Sequence, residues 1–597
     1  MNKIGKWLHL TLRRWRVAWR KELYPPPEPL PRGRAFWLAL GLVLLAMLAY
    51  SVYFIIFVTS KQDAFATNGE DLGIMDQAIW NTLHGALLHQ TICNILTDTN
   101  CYGLAGINRF AIHYEPILFL IAPLYLFWAD PKTLLILQVL VVATGALPAF
   151  WLARLRLRSD LAAVPFALLY LLYPAQQYAV DYDFHAVTLT LALLLFTLYF
   201  MYTQRNGWFL AFAILSLACK EEIAGIIALL GLWMAIFQRR WRVGLIVFGL
   251  AVGWTAIGLL VVHYASPVGH SLLASRWSEY GDSPLEVALT ILRHPLQVVR
   301  EHVLEPQHRL YLEKLLTPAG YLPLLAPWVL VLASPTLALN LLSSSPNMYS
   351  GRYQYNAEIV PILIFATIEA TVLLLWLLRC SLNLGKSLFS QLAASTHGPA
   401  FPAGDDQGEV RPAWSSWSEP AVAGRWLAAR RTPFAGWQLW PVLRALFLLL
   451  LLSYVMVHAV KATARYDVYS AMPYAAGFIW PAQDAHDRLA YHFLQEIPPD
   501  ASVSTQTMLV PHLSERRSIY LFPYGAGYAD YILLNAPGYY YPFKTYADYE
   551  RTVNAVLSSG EYGVIDMQDG YILLKKGAAP TANEQAMRMV AHYRHTD

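Results

Sequence analysis

The stretch Glu70-Asp71-Leu-Gly-Ile-Met-Asp76-Gln77-Ala-Ile-Trp80-Asn-Thr-Leu-His84-Gly85 sets carboxylates and aromatic residues just behind a long apolar run. A carboxylate so placed can act as a general base on an acceptor hydroxyl or help to hold a metal ion. Glu70, Asp71 and Asp76 are therefore the candidate catalytic residues, and the residues alone do not choose among them. Gln77, Trp80 and His84 are candidate substrate contacts on the same stretch. Helical spacing puts Asp76, Ile79, Trp80 and Leu83 on one face, which predicts an amphipathic helix at the membrane interface. Its acidic start suits a helix N-terminus.

Further polar residues stand where apolar segments meet: His113 and Glu115, then Asp181-Tyr182-Asp183-Phe184-His185, Lys220-Glu221-Glu222, and Arg352-Tyr353-Gln354-Tyr355-Asn356-Ala357-Glu358. Ionisable groups at membrane boundaries are costly and mark a pathway, a pairing network or a site. The plainer reading is solvated loop ends, with Lys220 paired to Glu221 or Glu222. On the functional reading these residues are substrate contacts. Arg352 suits a phosphate because its planar fork donates in pairs. His113, His185 and Lys220 would be further phosphate donors or metal ligands. Their spacing fits no known metal motif, so no metal site is assigned, no cofactor is named and a divalent ion stays open.

The elements that must position these groups are membrane helices. The 597 residues are 56% hydrophobic and 14% charged, against about 25% charged in soluble domains. A basic N-terminal segment, residues 1–34, precedes the apolar run Ala35–Val58, which reads as a first span with its N-terminus in the cytoplasm. The basic flank is a topology signal, so nucleic acid is not an expected partner.

A first outer loop, residues 59–132, follows. It holds the short apolar stretch Pro116–Trp128, expected to be re-entrant or surface-lying. Spans are then expected near Thr133–Leu152, Ala162–Val180, Ala186–Tyr202, Trp208–Cys219, Ile223–Phe237, Val243–Tyr264, Ile359–Leu378 and Val442–Val460, with a hairpin of Ala319–Ala333 and Pro335–Leu342. The arginines of Arg154-Leu-Arg156-Leu-Arg158 and Arg239-Arg240-Trp-Arg242 then fall inside. The Gly/Ser/Pro/Ala-rich stretch at about residues 380–440 reads as a cytoplasmic linker.

The fold class is thus an all-α polytopic bundle of about 11 helices over residues 35–461, with an extracytoplasmic α/β domain at 462–597. Strand-length runs there are Ala501–Thr505, Ser518–Phe522, Tyr531–Leu534, Gly563–Met567 and Tyr571–Leu574, the last two around a turn at Gln568-Asp569-Gly570. Asp484–Glu496 and Ala547–Ser558 have helical periodicity. Of the four cysteines, Cys93 and Cys101 share the first loop and could pair if that loop is extracytoplasmic.

Asp71-Leu-Gly-Ile-Met-Asp-Gln-Ala-Ile-Trp-Asn-Thr-Leu-His-Gly85, His113-Tyr-Glu-Pro116, Phe184-His185, Lys220-Glu221-Glu222, Arg352-Tyr-Gln-Tyr-Asn-Ala-Glu-Ile-Val-Pro361 and Val510-Pro-His-Leu-Ser-Glu-Arg-Arg517 resemble the predicted membrane proteins grouped as domain of unknown function 2079. The resemblance covers about Gln62 to Lys576. That layout in turn is similar to GT-C glycosyltransferases, which use polyprenyl-phosphate sugars and an acidic residue of the first outer loop. The resemblance implies Asp71 as base, membrane lipids and a polyprenyl-phosphate-linked sugar as partners, and an extracytoplasmic acceptor. The departure is that no Asp-Asp or Asp-Glu pair directly follows the first span; Glu70-Asp71 is the nearest match. A transporter or flippase for lipid-linked or small polar substrates, or a non-catalytic envelope-assembly protein, are the competing readings.

Overall fold

The computed structural model describes residues 28, 30–96, 103–281, 284–294, 296, 300, 304–395, 439–465, 472–473, 475 and 478–594. Five helices among them are long and apolar enough to cross a membrane: Arg34–Asp63, Lys132–Leu157, Trp241–Ala265, Gln354–Asn383 and Trp440–Ala464. Shorter apolar helices are Leu161–Leu171, Ala186–Tyr202, Asn206–Leu217, Ile223–Phe237 and Pro327–Leu341. The first span shows why such sequences need lipid. It buries Phe36, Ala39, Val43, Tyr50 and Phe54 while Leu38, Leu42, Leu45, Leu48 and Ile56 stay exposed. An apolar outer face of this extent has no favourable place in water.

Close helix packing comes from glycine where it is tightest. A Cβ on Gly231 would stand 2.6 Å from the Gly244 carbonyl oxygen, and one on Gly244 2.4 Å from that of Gly231. The helices Ile223–Phe237 and Trp241–Ala265 therefore meet backbone to backbone. Within the apolar interior, Arg156 makes a two-pronged contact with Glu369 at 2.5 and 2.7 Å. Both side chains are almost wholly buried.

Several expected boundaries change. The second span runs on to Leu157, carrying Arg154 and Arg156 within the helix rather than beyond it. The single span expected at Ala162–Val180 is two helices, Val164–Leu171 and Pro174–Asp181, because Pro174 cannot donate to the preceding turn. Pro116–Trp128 is one α turn, Leu118–Ile121, and a 3-10 stretch, Ala122–Leu126, interrupted at Pro123. The hairpin expected around Ala333 is instead the continuous run Pro327–Leu341. The helix opening at Ile359 reaches Ser395, so the linker cannot begin near residue 380. Most of that linker, residues 396–438, lies outside the described residues.

The described residues fall into two compact units, one within Pro26–Ala370 and Tyr454–Asp597 and the other within Thr371–Ser453. In the second unit, the described parts of the helices Ile359–Ser395 and Leu439–Arg465 include Arg379 lying over the Trp440 ring. The first unit contains a mixed sheet ordered β4-β3-β5-β7-β6. Its strands are β3 Val503–Thr505, β4 Ile519–Leu521, β5 Tyr531–Asn535, β6 Tyr562–Gln568 and β7 Tyr571–Lys576; β1 His89–Gln90 and β2 Ile107–Asn108 form a separate ribbon. β3 pairs parallel with β4 and β5, and β7 pairs antiparallel with β5 and β6.

Side chains alternate across the sheet. Ile532, Leu534, Ile572 and Leu574 face the helices Tyr546–Ser558 and Asn583–Tyr593. Val503, Ile519, Leu533 and Leu573 face the helix Ala485–Glu496 together with Phe65, Ile74 and Ile92 of the first loop. The loop is thus part of the sheet's own core. A Cβ on Gly69 would lie 2.7 Å from Val510 Cβ, and one on Gly73 2.8 Å from Val510 Cγ1, so both glycines permit this contact.

Candidate functional site

Asp71 rides on a π-helical turn, Gly69–Gly73. Such turns are rare and frequent at functional sites. Asn68 caps it, its Oδ1 accepting from the Glu70 N–H at 2.8 Å and from the Thr507 hydroxyl at 3.0 Å. The Gly69 N–H donates to Thr507 Oγ1, and the Asn68 N–H to Asp183 Oδ2 at 2.8 Å. The turn is held from both sides, by the sheet region and by the segment around Asp183.

The Asp71 carboxylate accepts from the Tyr182 hydroxyl at 2.6 Å and meets His185 Nε2 at 3.1 Å. Burial pushes its pKa up, but the His185 contact and charge, the Tyr182 hydrogen bond and the Arg109 charge outweigh it and leave Asp71 below the usual carboxylate value. Burial and the neighbouring Asp71 and Asp183 carboxylates raise Tyr182, which stays a donor. Asp183 goes the other way, to about 7, because burial and Asp71 outweigh the help of Lys61, the Asn68 N–H and His185. Asp181 pairs with Lys61 at 3.4 Å.

From Tyr182 an aromatic run leads to the cations. Its ring meets Tyr353 edge-on at 4.6 Å between centroids, and Tyr353 meets Tyr355 at 6.3 Å. Lys220 Nζ stands 5.9 Å from the Tyr355 ring centroid, and Arg276 donates to the Tyr355 hydroxyl at 3.3 Å. Lys220 is salt-bridged to Glu222 at 2.6 Å. Burial lowers the Lys220 pKa, but Glu222, Glu358 and Glu221 together raise it above the usual value, so the amine is charged. Glu358 is buried against Glu222 and accepts from the Thr336 hydroxyl. Arg109 pairs with Glu115, and His113 with Glu221, both at 2.8 Å. Glu221 also accepts from the Tyr114 N–H, and His113 and Lys220 hold it near 2 against the effect of burial. Arg352 is half-buried beside Tyr353 in sequence, its backbone N–H donating to Ser350.

The expected helix runs over Ile74–Leu83, buried along its first part and partly exposed from Trp80 to Leu83. Ile74 through Ile79 are all buried, Asp76 completely, so its carboxyl faces protein and not open surface. Asp76 accepts from Tyr125 at 2.5 Å and from Ser514 at 2.6 Å. Burial outweighs those hydrogen bonds and, with Asp130, lifts Asp76 to about 7. Gln77 joins Thr91 to the backbone carbonyls of Arg516 and Arg517. Both side chains knit the first loop to the sheet region. Trp80 and His84 stack on each other, His84 exposed and bound to the Trp80 carbonyl. Neither contacts the Asp71 cluster.

Tyr182 and Arg276 are the members missed by the sequence reading. Tyr182 carried a signal, its place between two aspartates; Arg276 lay in an unremarkable segment. Among the described residues, His492, Glu496 and Asp566 alone have the spacing of a metal site, and none belongs to the Asp71 cluster. A cavity of about 480 Å³ opens beside Asp63, Lys132, His512 and Glu515, away from Tyr182 and Lys220. Cys93 is disulfide-bonded; Cys101 lies outside the described residues.

The apolar helices and the buried polar cluster between them define an integral membrane protein. The chain belongs to the family described as "Predicted membrane protein (DUF2079)", which matches residues 61–397 and 421–573. No curated protein matches it. Among solved structures it is similar, at 12% identity and a TM-score of 0.46, to ArnT from Cupriavidus metallidurans bound to undecaprenyl phosphate, over 92% of this chain and 99% of that one. It is also similar, at 12% identity and a TM-score of 0.40, to the oligosaccharyltransferase AglB from Archaeoglobus fulgidus in complex with an inhibitory peptide and a dolichol-phosphate, over 93% of this chain and 78% of that one.

Proposed function

We propose that this protein is a GT-C-like glycosyltransferase that moves a sugar from a polyprenyl-phosphate carrier to an acceptor on the side of the membrane opposite its N-terminus. The observation carrying this reading is the Asp71 carboxylate, ionised, about a fifth exposed, and linked by Tyr182, Tyr353 and Tyr355 to Lys220 and Arg276. Two hydrogen-bond donors leave a carboxylate with spare acceptor positions, so Asp71 can still take an acceptor hydroxyl.

In the proposed step, Asp71 receives the hydroxyl proton as the acceptor oxygen bonds to the anomeric carbon. The bond from that carbon to the phosphate oxygen breaks, and the lipid phosphate leaves with the electron pair. Lys220, Arg276 and Arg352 neutralise the charge gained by that phosphate. The tyrosine rings offer apolar faces to the sugar. Tyr182 and His185 orient Asp71, and the sheet region bears on the turn through Asn68 and Thr507.

The test is transfer of radiolabelled sugar from a panel of polyprenyl-phosphate sugars in vesicles holding the purified full chain. Incorporation into acceptor by the wild type and its loss in Asp71→Asn supports the reading. Movement of labelled lipid across the bilayer without any sugar transfer overturns it in favour of a transporter.

A further inference from the structure

At the end of the bundle where the span Arg34–Asp63 begins, a separate groove of about 830 Å³ runs between that span and the helices Ala146–Leu157, Thr190–Tyr202 and Asn206–Leu217. Arg32, Arg154 and Arg205 line it together with Tyr199, so three cations share one cavity. Arg154 is fixed: it pairs with Asp160 at 2.5 Å, donates to the Pro31 carbonyl at 2.7 Å and lies 4.5 Å over the Phe36 ring. Arg32 lies over the same ring at 5.6 Å. Neither Arg32 nor Arg205 has a carboxylate partner among the described residues, whereas Glu28 at the rim is already paired with Arg158. Below the arginines the walls turn aromatic, with Trp151, Phe196 and Phe212.

We infer that this groove binds one anionic glycerophospholipid from the leaflet on the N-terminal side of the first span. Guanidinium forks match phosphate oxygens, and basic pockets between membrane helices suit phospholipid headgroups. The aromatic trough beneath is the complement of an acyl chain. The flanking Trp37 and Trp208 are each 59% exposed on lipid-facing sides, so the groove opens toward the bilayer rather than toward a protein partner. An ordinary aromatic and basic belt explains single anchors, but not three cations gathered over a cavity.

The test uses the purified full chain in detergent. Phosphatidylglycerol, phosphatidylcholine with the same acyl chains, and glycerol phosphate without chains are titrated and bound lipid is counted by native mass spectrometry. One phosphatidylglycerol should bind in preference to phosphatidylcholine, with glycerol phosphate far weaker. The double variant Arg32→Gln, Arg205→Gln should lose about thirty-fold in phosphatidylglycerol affinity and nothing in phosphatidylcholine affinity. Both side chains are exposed and need not disturb the fold, which size exclusion checks. Equal binding of the two lipids, an unchanged double variant, or glycerol phosphate binding as tightly as the lipid overturns the assignment.

Discussion

Asp71 and Asp76 share one short segment, and their surroundings pull them apart. Asp71 faces Tyr182 and His185 and is held below the usual carboxylate value. Asp76 is sealed between Tyr125 and Ser514 and is raised to about 7. One region keeps a charge within reach of a ligand; the other holds a carboxyl that burial pushes toward its neutral form and that fastens the first loop to the sheet region. A carboxylate in a membrane-proximal loop is therefore read by its partners, not by its place in a motif.

The largest expected effect that separates them is on transfer. Asp71→Asn should lower the rate by about 10²–10⁴, the range for a general base, with only a small fall in melting temperature from the weakened contacts with Tyr182 and His185. Asp76→Ala should act mainly on stability, lowering it by about 2–4 kcal/mol by orphaning the buried Tyr125 hydroxyl, leaving Ser514 only the Pro511 carbonyl and opening a cavity, measured by thermal unfolding in detergent. If Asp76→Ala folds normally and loses transfer, the roles are exchanged.

Gly69→Ala comes next, because its Cβ would press on Val510 under the Asp71 turn. It should cost about 1–3 kcal/mol and lower transfer as well, while the same change at Gly207, where a Cβ meets nothing, should do neither. Tyr182→Phe removes one donor to Asp71. It should slow transfer about ten-fold and raise the acid limb of the pH–rate profile, since the carboxylate loses a stabilising hydrogen bond.

Stability against pH separates the two carboxyls as well, with opposite sign at the two sites. Asp76 and Glu515 are raised when folded, to about 7 and about 8, so the folded protein binds more protons than the unfolded chain above about pH 4. Stability should therefore fall as pH rises from about 4 to about 8, and Asp76→Asn should flatten that fall. Asp71 is depressed, so its contribution is present above the ordinary carboxylate value and is lost only as pH falls through its folded value. Melting curves across pH for the two Asn variants check both signs.

Local pattern carried much of the fold. Each of the five expected strand runs overlaps an observed strand to within two residues at either end, because alternation and turn residues report on a sheet within a few residues. Apolar length located the first span and the helix Ile223–Phe237 well. It misled at Pro174 and around Ala333, where breaks and continuations depend on packing rather than hydropathy. Arg156 read as a topology signal, and its buried ion pair with Glu369, 213 residues away, was not legible. The helix Asn583–Tyr593 escaped because its apolar face is narrow and defined only by the sheet it covers. In the candidate site, the residue types and four of the contributing segments were legible. The distinction between Asp71 and Asp76 was not, since it rests on Tyr125, Ser514 and Tyr182 arriving from distant parts of the chain.

Whether Asp71 is the reacting carboxylate is decided by a structure of the full chain in complex with a non-transferable polyprenyl-phosphate sugar analogue. The sugar should lie beside Tyr182 and Tyr353, its anomeric carbon facing Asp71, with the phosphate against Lys220 and Arg276. An analogue whose phosphate sits elsewhere, such as the cavity beside Asp63 and Lys132, with Asp71 still bound only to Tyr182 and His185, would contradict that role.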